Sequence, residues 1–398
     1  MQQFWQLAIK SSARQLHLVF LNSSRLFFNF LSKGDEDAFF LFPLPLPRTT
    51  DAKVALIRKR IIRITSFSVF IFQKQYIRLM DFNHFIFPAP ESSYSQDDYQ
   101  GELLFIPRRK KPILPHLDPS LPIPCLYMPC HNGGGGSTKL MIYFHGNAED
   151  LGLSWELLDH LRSSLKMHVL AVEYPGYGIY PGVPTAEKIL EDALSVWEYL
   201  TLELGVKRTE IILFGRSLGS GPAIELAAHV NPCALLLMTA YLSIREVVRS
   251  LAGGMAAYLV HKRFRNIENI KEVGCPTFLI HGQRDTLIPA SHSQELHSAC
   301  GGPASLLLSN DMDHNEFDFY EDLSHPFNFF LQQCGISSNP TTQTQQSPES
   351  VSPAMLGDTF CPYVLKFPNE LKYRDNPDPR FTVKRKENLC SKFQKIFS

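Results

Sequence analysis

The chain has 398 residues, 44% hydrophobic and 20% charged, enough for one domain of about 250 residues with extensions. Lysine plus arginine balances aspartate plus glutamate at 39 each, so no global field points to nucleic acid as a partner. The eight cysteines, at 125, 130, 233, 275, 300, 334, 361 and 390, show neither C-x-x-C spacing nor a zinc-type cluster with histidine. That usage suits a reducing, cytoplasmic compartment.

Residues 1–81 are unlike the rest. Up to Met80 they hold twelve Lys and Arg against four acids, and Phe, Leu and Ile are abundant. The longest uncharged apolar stretches, such as Ile64 to Gln73, fall well short of the roughly 20 residues that span a bilayer. This basic, apolar extension admits three readings: a mitochondrial transit peptide, a segment lying peripherally on an anionic membrane, or a poorly ordered piece ahead of a true start at Met80.

Residues 82–334 read as a domain. Leu103 to Pro107 and Ile123 to Met128 are strand-like, and His131 to Ser137 (HNGGGGS) is a flexible turn. A strand rather than a helix follows it, so it is not a phosphate loop. Leu140 to Phe144 is a buried strand. Leu151 to Leu165 follows as a helix, apolar at 153, 157, 158, 161 and 165. Val169 to Val172 is the next strand, then a turn at Tyr174 to Gly178. Thr185 to Leu204 is an amphipathic helix with Thr185 as N-cap. Ala234 to Met238 and Thr277 to Ile280 are further buried strands. Continuous apolar runs alternating with helices imply a parallel sheet covered on both faces, with active groups at the carboxyl ends of its strands. Between the last two strands, Tyr241 to Val273 forms a small cap. Its apolar residues Val247, Val248, Leu251, Met255, Ala256 and Leu259 have helical spacing, expected to pack as core, with an acyl-pocket lining as the alternative.

Residues 335–398 lose this pattern. SSNPTTQTQQSPESVSP is polar and of low complexity, hence expected to be disordered. The basic end, FTVKRKENLCSKFQKIFS, reads as a solvated tail, with membrane contact or a lipid on Cys390 as the alternative.

The chemistry concentrates at Ile211 to Ala228. A strand (Ile211 to Phe214), Gly215-Arg216-Ser217-Leu218-Gly219, and a helix from Pro222 to Ala228 make G-x-S-x-G a nucleophile elbow. A serine hydroxyl needs a base, and the base an orienting acid, here in the chain order Ser, acid, His. Asp285 falls on the loop after the Thr277 strand, and His314 on the loop after a final strand, Leu306 to Leu308. Ser217, Asp285 and His314 are the expected triad, with Asp311 and Asp313 as lower-ranked acids. The oxyanion donors expected are the backbone N–H groups of Leu218 and of Asn147, on the loop after the Leu140 strand. The Asn147 side chain either assists or only steadies that loop.

The segments FHGNAEDLG, EYPGYG, GRSLGSGPAIELA, CPTFLIHGQRD and DHNEFDFY resemble α/β hydrolases of the domain-containing protein 17 group, over roughly residues 82–332. FHGNA and GRSLG are also similar to bud-emergence-46-like hydrolases. The resemblance implies an α/β hydrolase fold, a mostly parallel sheet with helices on both faces and a small cap. It also implies a serine hydrolase, without metal or cofactor, that removes palmitate from cysteines of proteins on the cytosolic face of membranes. S-acylated proteins or acyl-ester lipids would be its substrates. A small-molecule esterase or lipase of the same fold, and a non-catalytic binding module, are the alternatives. Family members in animals carry a palmitoylated, cysteine-rich N-terminus, whereas here no cysteine precedes Cys125.

Overall fold

The structure, a computed structural model, describes residues 86–109, 118, 120–130, 137–337, 367, 368 and 371. The expectations for residues 1–81, for the glycine turn after Cys130 and for the tail beyond 337, Cys390 included, lie outside the described residues. Among the described residues, no helix is long and apolar enough to cross a membrane.

In chain order the elements are β1 (Leu103–Ile106), β2 (Ile123–Met128), β3 (Leu140–Phe144), α1 (Leu151–Leu165), β4 (His168–Val172), α2 (Ala186–Glu198), β5 (Ile211–Arg216), α3 (Ser220–Val230), β6 (Ala234–Met238), α4 (Ile244–Leu259), α5 (Asn266–Asn269), β7 (Thr277–Gly282), α6 (Ser291–Ala299), β8 (Ala304–Ser309) and α7 (His325–Gln333). The strands form one eight-stranded sheet in the order β1-β2-β4-β3-β5-β6-β7-β8. β1 pairs antiparallel with β2, and β2 with β4. From β4 to β8 every pairing is parallel. This is the α/β hydrolase architecture.

The apolar runs explain the layering. β2, β3, β4, β6 and β7 are buried at every residue, so each strand is covered on both faces. Full burial of one such Leu, Ile or Phe contributes about 1.5–3 kcal/mol. β8, at the sheet edge, instead alternates between half-buried and exposed positions. One face of the centre is closed by α7, whose Phe327 ring meets Phe214 of β5 edge-on at 5.1 Å and whose Phe330 stacks on Phe278 of β7 at 4.9 Å. No helix is expected over 325–333 from the sequence. Phe327, Phe330 and Leu331 are buried there at i, i+3 and i+4, a helical period in a segment too short and aromatic to stand out.

Several boundaries move for physical reasons. Thr185 does cap α2, accepting from the Lys188 N–H at 3.2 Å, but α2 ends at Glu198 and a π turn, Tyr199–Glu203, carries the chain on. β5 runs two residues beyond its apolar core because Gly215 and Arg216 still pair with β6. The cap helix α4 is broken at Gly253, whose φ is 81°. Of its apolar stripe, Val247 and Val248 pack against the core. Leu251 and Met255, beside the break, do not follow the core expectation: Met255 is 88% exposed.

β3, β5, β7 and β8 run in the same direction, so their carboxyl ends share one edge. β3 and β5 are neighbours, and the connection leaving β3 runs towards β4 whereas the one leaving β5 runs to the opposite side, towards β6. That is the switch point where a crevice opens in such sheets.

Candidate active site

Ser217 leaves β5 in the left-handed region, at φ 50°. A β-carbon on Gly215 would lie 2.5 Å from the Gly219 carbonyl oxygen. One on Gly219 would lie 1.9 Å from the Phe144 carbonyl oxygen at the end of β3. The two glycines therefore let strand, turn and helix close on each other, and they bring the β3 loop against the elbow. A 3-10 turn, Ser217–Gly219, leads into α3. Ser220 Oγ donates to the Ser217 carbonyl at 2.7 Å, and Tyr241 O–H donates to the Leu218 carbonyl at 3.2 Å. The turn is thus held from outside as well as by its own backbone.

The structure brings Ser217, His314 and Asp285 together. Ser217 Oγ lies 2.9 Å from His314 Nε2, and His314 Nδ1 lies 2.7 Å from Asp285 Oδ2. All three residues are buried. The carboxylate accepts at Nδ1, which fixes the imidazole tautomer with its proton there and leaves Nε2 free to accept from the serine. Asp285 Oδ1 accepts from the N–H groups of Leu287 at 2.9 Å and Ile288 at 2.8 Å. Burial pushes the Asp285 carboxyl up. The hydrogen bonds from His281 and His314, the charge of His314 and the Ile288 N–H outweigh burial and hold it well below the usual carboxylate range. Asp285 thus stays ionised and faces a base. The lower-ranked acids go elsewhere: Asp311 pairs with Arg284 at 2.5 Å, and Asp313 accepts from the backbone N–H of His314 itself.

His281 was not singled out in the sequence. It is fully buried, donates from Nε2 to the Ile288 carbonyl at 2.8 Å, sits 3.3 Å from Asp285 Oδ2, and accepts from Ser293 Oγ at Nδ1 at 2.6 Å. It props the turn that presents Asp285. Its signal was a histidine closing an otherwise apolar strand.

Leu218 and Asn147 flank this group on the elbow and the β3 loop. The Asn147 side chain is committed to the loop: Nδ2 donates to the Ile86 carbonyl at 2.8 Å, and Oδ1 accepts from Tyr177 O–H at 2.7 Å. Both ends of the amide thus tie the loop to its neighbours. Beneath the loop lies a fully buried pair, His145 and Glu173, with Nε2 2.9 Å from Oε1, close enough for charge attraction without hydrogen-bond alignment. His145 Nδ1 donates to the Gly146 carbonyl at 2.8 Å, and its ring stacks on Tyr174 at 3.8 Å. Burial pushes the imidazole down. The contact with Glu173, the charges of Glu173 and Glu149, and the Gly146 carbonyl outweigh it and raise its pKa. Glu173 also accepts from Tyr94 O–H at 2.8 Å and from the Leu151 N–H at 3.2 Å. An acid directly after the apolar run Val169 to Val172 of β4 was the sequence signal for this support.

Among the described residues, no group of three or more His, Cys, Asp or Glu is arranged to hold a metal ion.

No family model matches the chain. Curated relatives do. The α/β hydrolase domain-containing protein aho-3 of Caenorhabditis elegans is 31% identical over 180 residues, 45% of this chain and 53% of that protein. The human α/β hydrolase domain-containing protein 17B is 27% identical over 211 residues, 53% of this chain and 71% of that protein. Protein 17C of Xenopus laevis is 28% identical over 49% of this chain and 61% of its own. The matched stretch thus spans about half the length of the C. elegans relative. Among solved structures, the esterase Pf2001 of Pyrococcus furiosus is 16% identical, with a TM-score of 0.48, over 62% of this chain and 98% of that one. Sheet order, elbow and relatives agree: the chain has the α/β hydrolase fold and is similar to members of the domain-containing protein 17 group.

Proposed function

We propose that the chain is a serine hydrolase that cleaves acyl thioesters or esters, and that its substrates are palmitoylated cysteines of proteins at a membrane surface. The observation that carries the hydrolase reading is the buried relay from Ser217 Oγ through His314 to Asp285, at 2.9 and 2.7 Å. The palmitoyl-cysteine reading rests on the motif resemblance.

His314 Nε2 takes the Ser217 proton as Oγ attacks the acyl carbonyl carbon. The carbonyl π electrons move to oxygen, and the oxyanion is received by the N–H groups of Leu218 and Asn147. Each such donor is worth about 3 kcal/mol in the transition state. The imidazolium, held by ionised Asp285, gives its proton to the leaving sulfur or oxygen as that bond breaks. Water then enters and attacks the acyl carbon as it loses a proton to His314, which returns that proton to Ser217 Oγ as the acyl–oxygen bond breaks and the fatty acid leaves. The cycle balances as one water consumed, with one thiol or alcohol and one carboxylic acid formed.

The test has two arms. A fluorescent fluorophosphonate should label the wild type and not Ser217→Ala. The unlabelled wild type should release palmitate from a palmitoylated cysteine peptide, and prior labelling should abolish that release. Labelling without palmitate release, but with hydrolysis of short esters, assigns a small-molecule esterase. A folded wild type that does not label overturns the enzymatic reading and favours a binding module.

A further inference from the structure

The reaction above uses nothing of the ion pair beside the nucleophile. Arg216 is the last residue of β5 and immediately precedes Ser217. Its side chain is 11% exposed, and that of its partner Glu149 is 12% exposed. One edge of the guanidinium, Nη1, donates to Glu149 Oε2. The other, Nη2, donates to Asn315 Oδ1 at 3.0 Å and reaches the His314 carbonyl at 3.4 Å. Its Cζ lies over the Phe317 ring, 5.6 Å from the centroid. Glu149 is held in turn, accepting from Ser154 Oγ and from Tyr143 O–H at 3.3 Å. The β3 loop packs directly on the guanidinium: a β-carbon on Gly146 would lie 3.1 Å from Nη1.

One side chain therefore touches three segments. These are the loop from Gly146 to Glu149, which carries the Asn147 N–H, the elbow itself, and the loop from His314 to Phe317. Only arginine has the planar fork to satisfy two partners on opposite edges while lying over a ring. A half-hidden ion pair is weak evidence for a stabilising role, because desolvation offsets much of its attraction. Its placement across three loops is strong evidence for a geometric one.

We propose that Arg216 is a positioning residue. Its guanidinium clamps the oxyanion loop and the histidine loop onto the elbow, fixing the base and the second oxyanion donor relative to Ser217 Oγ. This rests on the serine hydrolase reading. Displacement of a reacting group by about 1 Å costs about 100-fold in rate, which sets the size of the effect.

The experiment compares full-length wild type, Arg216→Ala, Arg216→Lys and Asn315→Ala. It reads kcat and KM for a short ester, fluorophosphonate labelling rate and thermal melting. Arg216→Ala should lower kcat about 100-fold with KM nearly unchanged. Added guanidinium ion, kept below denaturing concentrations, should recover a large part of that loss by filling the vacated site. Recovery of kcat at constant folded fraction is a result that a merely structural arginine would not give. Arg216→Lys keeps the charge near Glu149 and loses the fork, so it should fall between wild type and alanine. Asn315→Ala removes one arm and should lower kcat about threefold, the worth of one hydrogen bond.

The clamp is overturned if Arg216→Ala keeps kcat close to wild type, or if its loss tracks the unfolded fraction and guanidinium does nothing. Should the alanine variant fail to fold, wild-type kcat in both Arg216→Lys and Asn315→Ala overturns it equally. Failure of the underlying reading looks different, because a wild type that neither labels nor hydrolyses brings down both.

Discussion

Replacing Asp285 by asparagine removes a charge and no volume, and the structure dictates which way the amide must turn. Oδ1 is engaged by two backbone N–H groups, from Leu287 at 2.9 Å and Ile288 at 2.8 Å. The amide oxygen must stay on that side, because an NH2 group there would face two donors. The NH2 then points at His314 Nδ1, where Oδ2 now sits at 2.7 Å. That donor forces the imidazole into its other tautomer, with the proton on Nε2, facing Ser217 Oγ at 2.9 Å. The base is then already protonated where it should accept. A wrong tautomer in such a triad costs about 10⁴ in kcat, or about 5 kcal/mol of barrier. Stability should hardly change, because both backbone N–H groups keep an acceptor. Asp285→Ala instead strands them, at about 1–3 kcal/mol each, and should lose stability as well as rate. The assay is kcat on a short ester alongside urea unfolding for wild type, Asp285→Asn and Asp285→Ala. An asparagine variant within tenfold of wild type, and folded, refutes the tautomer argument and the assignment of Asp285.

Other predictions follow from the same geometry. Asp313→Asn should keep kcat within about threefold, since that carboxylate bonds the His314 backbone rather than its ring; a loss like that of Asp285→Asn would reverse the two assignments. Gly219→Ala places a β-carbon 1.9 Å from the Phe144 carbonyl, so labelling of Ser217 and the melting temperature should both fall; unchanged labelling would mean that elbow and β3 loop are not in contact. Arg108→Met leaves Asp192, 2.9 Å away and 1% exposed at the side chain, as a buried charge without its cation. Urea unfolding should show a loss of about 3–5 kcal/mol, and a neutral result would count against burial of the pair. His145 has its pKa raised in the folded state. Its contribution is therefore complete below its ordinary value, near 6.5, and is lost as pH rises through the raised one. The melting-temperature gap between wild type and His145→Gln should be widest below pH 6.5 and narrow as the pH rises above it; a gap independent of pH would show that His145 is not the titrating group.

Legibility from sequence follows the range of the interaction that decides each feature. β3, β6 and α1 are readable to the residue, because unbroken apolar runs or a helical period fix them locally. The elbow is readable because glycine at both flanks of Ser217 is a steric demand made within five residues. The end of α2 is not readable: Tyr199 to Glu203 keeps the helical apolar period while the backbone widens to a π turn. The exposure of Met255 is not readable either, since periodicity reports which side is apolar and not whether anything covers it. At the site, chain order brings Ser217, Asp285 and His314 to one sheet edge. It ranks Asp285, at its own strand end, above Asp311 and Asp313, but which carboxylate turns towards the imidazole is fixed only by where each loop folds back.

The supports were the least legible part, and they share one property. His145, Glu173 and His281 are fully buried, at the ends of strands whose other residues are largely apolar. Each stands at or just beyond the carboxyl end of its strand: His145 after β3, Glu173 after β4 and His281 near the end of β7. Taken one at a time, a polar residue closing an apolar run reads as the place where the strand meets water. Taken together, three such residues that do not meet water are an anomaly, because each burial carries a desolvation cost that a purely structural edge would avoid. Local rules are broken where a site must be held rigid. The pattern to search for in a sequence of this class is therefore wider than the triad. It is a histidine or acid at or just past the carboxyl ends of buried parallel strands near the one that carries the nucleophile, as at β3, β4 and β7.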